Sequence, residues 1–102
     1  MSGVFDALSH PIRREVLELL KQGGMTAGEL AERFDVSKPT MSGHFAKLKA
    51  AGLIRGENVR GSILYTLNMS TLEEALHAFM GRMGMPLGSP APAPAETSGE
   101  ST

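Results

Sequence analysis

Residues 26–54 have the sequence TAGELAERFDVSKPTMSGHFAKLKAAGLI. Thr26 is a good N-cap residue, and Glu29 three positions later completes the pattern of a capping box. Apolar residues then recur at the helical period for two turns before the pattern breaks. Ser37 is suited to cap a second helix, in whose first turn Pro39 is tolerated. The stretch therefore predicts two short helices joined by a tight turn, which is a helix-turn-helix.

The second helix of this pair, the recognition helix, is predicted to have two different faces. At about 100° per residue, Met41, Phe45 and Leu48 fall together and form a core face. His44 lies on the flank, nearer to the core face. The opposite face is small, polar and basic, which suits a helix pressed into a DNA groove, because small residues let the backbone approach the bases. That outer face carries Pro39, Thr40, Ser42, Gly43, Ala46 and Lys47.

The residues after the recognition helix predict a β-hairpin. Gly52 suits a left-handed C-cap that ends the helix. Residues 62–68 alternate in polarity and are rich in β-formers, and with residues 53–57 they predict two strands whose turn lies near Arg60 and Gly61. A helix-turn-helix followed by a hairpin with a basic tip is a winged helix, whose wing can reach backbone phosphate or the neighbouring minor groove.

Five segments follow one another in the order of a known family: residues 4–14 (VFDALSHPIRR), 25–31 (MTAGELA), 34–42 (FDVSKPTMS), 48–54 (LKAAGLI) and 60–61 (RG). Over residues 3–83 the chain resembles the ArsR/SmtB family of small bacterial repressors, and within it the SdpR-type autorepressor branch. The resemblance implies a homodimeric winged-helix repressor of double-stranded DNA. The family often has two adjacent histidines in the recognition helix, where this chain has Gly43 and His44.

The flanking segments predict further helices and complete a mainly α (α+β) fold. A short N-terminal turn covers residues 4–9, and Pro11 opens a helix to about Gln22. Ser70 and Glu73 suggest a capping box for a last helix at about 71–83. Inward residues of the helix that Pro11 opens are predicted to be Ile12, Val16, Leu19 and Leu20.

The resemblance also implies that the first and last helices form a homodimer interface, and domain size favours this, because about 80 residues make too small an interior to absorb both apolar surfaces. A simple cover for the core is the alternative interpretation. The predicted interface residues are Val4, Phe5, Leu8, Leu72, Leu76, Phe79, Met80 and Met83.

The charge of the chain is concentrated locally. The net charge is −1, but residues 37–60 contain five basic residues and one acidic residue. The local patch matters for phosphate binding more than the total does. Lysines on a solvated helix face are the alternative, which the motif context disfavours. The predicted DNA contacts are Lys38, Thr40, Ser42 and Lys47 on the helix and Arg60 on the wing, with Ser37 and His44 as further candidates.

Other functions have weaker support in the sequence. The chain has no cysteine, which excludes disulfides and thiolate metal sites. His77 with the adjacent Glu73 and Glu74 is a poor ligand set, so no metal and no cofactor is expected. No nucleophile elbow or phosphate-binding loop predicts an enzyme. A metal- or ligand-responsive sensor with an unknown inducer remains one alternative, and a winged-helix protein-interaction module that does not read DNA remains another.

Two further expectations concern location and domain boundaries. No apolar run approaches the ~18 residues of a membrane span, and no signal peptide pattern opens the chain. We therefore expect a bacterial cytoplasmic protein that is nucleoid-associated when bound to DNA. Residues 1–83 are expected to form one DNA-binding and dimerisation domain. Residues 84–102, which hold four of the six prolines, are expected to be a disordered Pro/Ala/Ser-rich tail.

Overall fold

The computed structural model describes residues 3–84, which form two compact units, one ending at Leu72 and one beginning at Glu73. The predicted mainly α winged helix-turn-helix is confirmed. The elements in chain order are α1 Gly3–Ala7, α2 Pro11–Leu20, β1 Met25–Thr26, α3 Ala27–Ala31, α4 Lys38–Ala50, β2 Ile54–Val59, β3 Ser62–Leu67 and α5 Met69–Arg82.

The helix-turn-helix is formed by α3 and α4, and the capping box that starts α3 is present. The Glu29 backbone N–H donates to Thr26 Oγ1 at 3.1 Å, and the Thr26 N–H donates to Glu29 Oε1 at 2.8 Å. Both reciprocal bonds satisfy donors that a helix start leaves without partners. Leu30 then anchors α3 in the core with none of its surface exposed.

The buried face of α2 differs from the prediction. Arg13, Val16, Leu17 and Leu20 are buried at the spacing i, i+3, i+4, i+7 of a single helix face. The predicted inward residues Ile12 and Leu19 are only partly buried against the core. The predicted inward residues Val16 and Leu20 are confirmed, whereas Leu17 was missed and Arg13 was missed because the prediction placed no charged residue on the buried face.

The end of α4 is fixed by a Schellman motif. The Leu53 N–H donates to the Leu48 carbonyl oxygen at 3.0 Å, and the Gly52 N–H donates to the Lys49 carbonyl oxygen at 2.9 Å. Gly52 has a φ of +78°, the left-handed conformation that this motif needs and glycine adopts without strain. Leu48 and Leu53 are fully buried, so the chain leaves the helix directly into the core and then into β2.

The wing is the predicted hairpin of β2 and β3, extended by one strand that was not predicted. All pairs are antiparallel in the order β1-β3-β2. In β1, Met25 pairs with Tyr65 and Thr26 pairs with Leu64. Two residues are too few to show the alternation by which a strand is recognised in a sequence. The Tyr65 ring packs on Phe45 of α4, with ring centroids 4.8 Å apart, which attaches the wing to the recognition helix.

The predicted last helix is present within two residues of its predicted start, but the predicted capping role of Ser70 is wrong. α5 begins at Met69, so Ser70 lies inside the helix and does not cap it. The Asn68 N–H donates to the Leu53 carbonyl oxygen at 2.8 Å, which fixes the chain between β3 and α5 and lets the helix start at once. The predicted tail, 84–102, lies outside the described residues except for Gly84.

Candidate DNA-binding surface

The recognition helix α4 begins at a pair of hydroxyl groups. Ser37 Oγ accepts a hydrogen bond from the Thr40 backbone N–H at 3.2 Å and donates one to Thr40 Oγ1 at 2.9 Å. Ser37 is therefore the N-cap, as predicted, and its single O–H hydrogen is already in use. The Thr40 hydroxyl still has its own hydrogen to donate. Because a phosphodiester oxygen only accepts, Thr40 suits a phosphate contact better than Ser37 does.

The outer face of α4 is exposed along its length, in agreement with the two faces predicted from the sequence. Met41, Phe45 and Leu48 are buried on the opposite face. A glycine and an alanine on the exposed face keep the backbone close to the surface of the molecule. The exposed residues of this outer face are Pro39, Thr40, Ser42, Gly43, Ala46 and Lys47.

Lys47 on this face makes a salt bridge that the sequence did not predict. Its Nζ lies 3.2 Å from Asp6 Oδ2 of α1. The two side chains are 55% and 58% exposed, and an exposed pair of this kind stabilises a protein by only ~0–1 kcal/mol. A phosphate group can therefore replace Asp6 as the partner of Lys47 at little expense.

Lys38 lies in the first turn of α4 and is exposed. With Ser42 it lines a groove of about 250 Å³ between α3 and α4. A cation at a helix N-terminus is disfavoured by the helix dipole by ~0.3–1 kcal/mol. An anion bound nearby would offset this repulsion, which makes Lys38 compatible with a phosphate contact.

The wing carries Arg60 at its tip, as predicted. Arg60 and Gly61 form a two-residue turn with φ values of +55° and +83°. Both signs match a type I′ turn, whose twist suits a hairpin. The Gly61 N–H donates to Asn58 Oδ1 at 3.1 Å, which supports the turn. The guanidinium of Arg60 is exposed at the end of β2 and β3.

His44 does not lie on the outer face. Only 8% of its surface is exposed, and its Nδ1 lies 3.2 Å from Nη1 of Arg13, a buried residue of α2. This placement does not favour the predicted contact of His44 with DNA. Sequence reasoning missed Arg13 as a partner, although its spacing from Val16 and Leu20 would have placed it on the buried face of α2.

Comparison with known proteins identifies the class. A family model described as "Helix-turn-helix domain" matches residues 8–57. The transcriptional repressor SdpR of Bacillus subtilis (strain 168) is 44% identical over 77 residues, which cover 76% of this chain and 86% of that protein. An arsenical resistance operon repressor of Staphylococcus xylosus is 34% identical over 73 residues, or 72% of this chain and 70% of the repressor.

The fold comparison agrees with the sequence comparison. A crystal structure of an ArsR family transcriptional regulator superposes with a TM-score of 0.74 at 30% identity, covering 80% of this chain and 84% of that one. The chain belongs to the ArsR/SmtB family. It is thus a DNA-binding transcriptional regulator and not an enzyme, and the resemblance seen in its sequence is confirmed.

The first unit of this ArsR-family chain contains half of the predicted dimer residues. Val4, Leu8 and Leu72 are partly buried against the core. Phe5 of α1 keeps 40% of its surface exposed. These four positions therefore include residues that complete the core and an aromatic side chain that remains partly in solvent.

The second unit contains the other half, three residues on α5 and Met83 directly after its last residue. Met80 is partly buried. Leu76, Phe79 and Met83 are exposed to 40%, 41% and 61%. Leu76 and Phe79 are three positions apart on one helix, and the Met83 N–H donates to the Phe79 carbonyl oxygen at 3.1 Å, so these apolar side chains follow the helical spacing i, i+3 and i+7 to the end of the described chain.

Other sites are not found in the described part of the ArsR-family chain. Within residues 3–84, no group of three or more His, Cys, Asp or Glu side chains is placed to hold a metal ion. Over the same range, no helix is long and apolar enough to cross a membrane.

Proposed function

We propose that this chain is a homodimeric transcriptional repressor that binds an inverted-repeat operator in double-stranded DNA. The proposal is carried by the outer face of α4, which is exposed and consists of small, hydroxyl and basic side chains. A helix with such a face can enter the major groove, where each base pair presents a distinct pattern of donors and acceptors. Relatives that are named as repressors support repression rather than activation of transcription.

The contacts are divided between phosphates and bases. Thr40 and Lys47 donate to phosphates on either side of the groove, and Lys38 does so from the start of α4. Ser42 reaches base edges beside Gly43, where the missing side chain allows the closest approach. These assignments rest on the free hydrogen of Thr40, the weak hold of Asp6 on Lys47 and the exposure of all four polar side chains.

The remaining candidate residues, Arg60, Ser37 and His44, have different roles. Arg60 contacts backbone phosphate from the tip of the wing, where the residue is exposed in the turn between β2 and β3. Ser37 and His44 hold the helix in place and do not touch DNA, since the hydroxyl of Ser37 caps α4 and the His44 ring is directed at Arg13.

Dimerisation supplies the second half-site. A domain of this size is marginally stable alone, and covering apolar surface with a second copy adds burial. We assign the interface to α1 and α5, because large apolar side chains are exposed at Phe5 of α1, at Leu76 and Phe79 of α5 and at Met83 directly after α5. A two-fold dimer reads two inverted half-sites about one helical turn apart. The protein acts in the bacterial cytoplasm and is nucleoid-associated when it is bound to DNA.

Selection from a pool of random DNA duplexes tests the proposal. The enriched duplex should contain an inverted repeat and bind two copies of the chain by light scattering. Three basic side chains per copy, Lys38, Lys47 and Arg60, predict that the logarithm of affinity falls with that of salt concentration with a slope of about −5. Failure to enrich any sequence, or an affinity that is unchanged between low and moderate salt, would contradict the proposal.

A pair of lysine variants tests the geometry of the surface. Lys47→Ala should weaken binding to the selected duplex and to a random duplex alike, because it removes a phosphate contact and not a base contact. Lys49→Ala is the matched control, since it removes the same charge from another side of the same helix and should have the smaller effect. Equal effects of the two variants would mean that α4 contributes only general charge.

A further inference from the structure

Arg13 is a charged side chain that the fold buries, with 8% of its surface exposed. Its Nε donates to the Ala7 carbonyl oxygen at 2.8 Å and its Nη2 donates to the Asp6 carbonyl oxygen at 3.1 Å. Both carbonyls belong to the last turn of α1, where helical carbonyls have no partner within the helix. Arg13 of α2 therefore caps α1, and these bonds compensate the burial of its charge.

The remaining branch of the guanidinium reaches the recognition helix. Nη1 of Arg13 lies 3.2 Å from Nδ1 of His44. A guanidinium only donates hydrogen bonds, so this contact requires an unprotonated Nδ1 and places the single imidazole hydrogen on Nε2. The His10 ring, at the N-cap of α2, lies against the His44 ring with centroids 4.5 Å apart. Helices α1, α2 and α4 thus meet at one polar contact, the Arg13–His44 joint.

We propose that Arg13 is a positioning residue that fixes the recognition helix through a neutral His44, and that protonation of His44 opens the joint and weakens sequence-specific DNA binding. The inference rests on the proposed function for its DNA readout. Its structural part stands on the hydrogen bonds alone. A protonated His44 has two donor nitrogens and a positive charge, and it faces a permanent cation that can offer it only further donors.

The charged groups around His44 do not relieve this conflict. Arg13 and His10 face its ring from α2. The one charged residue of α1 is Asp6, and its carboxylate is bonded to Lys47 of α4 at 3.2 Å. Burial lowers the pKa of His44 below its ordinary value of 6.5, and the neighbouring His10 and Arg13 lower it further. The fold therefore disfavours the charged imidazole.

The sign of the pH effect follows from linkage. Because the pKa of His44 is lower in the folded chain than in the unfolded chain, the unfolded chain binds more protons between the two values. The stability that His44 contributes is complete above its unfolded pKa of 6.5 and declines as the pH falls towards its folded pKa.

The effect on DNA distinguishes positioning from simple charge. A new positive charge near the DNA surface would strengthen binding to any duplex at low pH. Opening of the joint instead displaces α4 and should reduce binding to the selected duplex relative to a random one. The measured quantity is therefore the ratio of the affinities for the selected and the random duplex, at constant salt, between about pH 8 and about pH 5.

Two histidine variants isolate the titrating group. His44→Asn places an amide oxygen near the position of Nδ1, so it can accept the bond from Arg13 but cannot titrate. His10→Asn is the matched control, since asparagine remains a good N-cap and the neighbouring ring is removed. The wild-type ratio should fall as the pH is lowered over this range, by no more than the limiting value of about tenfold per pH unit for one proton. His44→Asn should keep a constant ratio, and His10→Asn should keep most of the wild-type loss.

An arginine pair tests the other side of the joint. Arg13→Met should lower the affinity ratio at about pH 8, where His44 is neutral, and should weaken its pH dependence. Arg14→Met is the control, because Arg14 is exposed and the bond of its Nη1 goes to the Leu8 carbonyl oxygen at 2.6 Å. Two results would overturn the proposal. One is a wild-type affinity ratio that does not change with pH, and the other is a His44→Asn protein whose affinity ratio falls at low pH as that of the wild type does.

A measurement without DNA separates this inference from the proposed function. In denaturant unfolding, the free energy of unfolding of the wild type should decrease as the pH is lowered, relative to that of His44→Asn. Nitrogen chemical shifts should place the His44 hydrogen on Nε2 at about pH 8. A wild type that binds no DNA at any pH would refute the proposed function but leave these two results to support the joint. A hydrogen on Nδ1, or parallel pH profiles for the two proteins, would refute the joint even if the wild type binds its operator.

Discussion

Gly43→Ala is an informative substitution, because no contact within residues 3–84 explains the missing side chain. Gly43 lies in the middle of α4, and a Cβ atom built on it meets nothing within 4 Å. A glycine in a helix interior is about 1 kcal/mol less favourable than alanine. Gly43→Ala should therefore raise the free energy of unfolding by about 1 kcal/mol, which for a domain of this size raises Tm by about 4–8 °C.

The same methyl group should weaken sequence-specific binding. Gly43 lies on the exposed outer face of α4, between Thr40 and Lys47, where we propose that the helix enters the groove. A methyl that holds the helix away from the bases and disrupts one good side-chain contact loses ~1–3 kcal/mol of discrimination, or about 5- to 150-fold in affinity. Stability and affinity should thus change in opposite directions.

Thermal unfolding at one fixed protein concentration and fluorescence anisotropy with the selected duplex measure the two quantities. Gly81→Ala is the matched control, because Gly81 is also helical and has no atom within 4 Å of an added Cβ. It should stabilise the chain, less strongly because it lies near the end of α5, and leave DNA affinity unchanged. A Gly43→Ala protein that is more stable and binds the selected duplex as tightly as the wild type would refute the assignment of Gly43 to the groove.

Further predictions test the charges, the metal response and the dimer. Asp6→Asn should free Lys47 and raise affinity for any duplex by about two- to fivefold in anisotropy titrations, and a loss of affinity would contradict this role of Asp6. Near-stoichiometric zinc, nickel, copper and cadmium should leave affinity unchanged. An effect of about tenfold or more that His77→Ala abolishes would show a metal site. Deleting residues 88–102 should leave dimerisation and DNA binding intact by light scattering and anisotropy. Phe79→Asp should give monomers or unfolded protein, because it places a charge in an apolar contact, and a dimeric, DNA-competent variant would mean that the subunits meet elsewhere.

The helix-turn-helix could be predicted because its boundaries are set by local signals. The capping box of Thr26 and Glu29, the N-cap Ser37 and the left-handed Gly52 each act within a few residues of themselves. The two faces of α4 follow from periodicity alone, which holds wherever one face of a helix packs on a core. The wing tip follows from the Gly at position 61, since a turn with two positive φ values favours glycine.

The polar contacts that hold α4 could not be predicted in the same way. Arg13 and His44 are 31 positions apart, and Asp6 and Lys47 are 41 apart. No local pattern links such residues. A prediction that places only apolar residues on the buried face of α2 also misses an arginine there, although the burial of a charged group is physically allowed when hydrogen bonds compensate it.

Short elements were also missed for a physical reason. β1 has two residues, and its pairing with Tyr65 and Leu64 is decided by β3. Ser70 and Glu73 match the pattern of a capping box, which predicts a later start for α5. The hydrogen bond from the Asn68 N–H to the Leu53 carbonyl oxygen instead fixes the residue between β3 and α5, and the helix begins directly after it. When tertiary contacts fix a segment, they override the local propensity of a capping residue.

Asp6 links the proposed dimer and DNA surfaces through two routes that begin at one residue. Its carbonyl oxygen accepts from Arg13, which reaches His44, while its carboxylate bonds to Lys47. A displacement of α1 would therefore disturb both the buried and the exposed side of the recognition helix. If α1 forms part of the interface between subunits, as we propose, pairing of two chains orders the residue that holds both routes, and the same contact that joins the half-sites also fixes the helix that reads each of them.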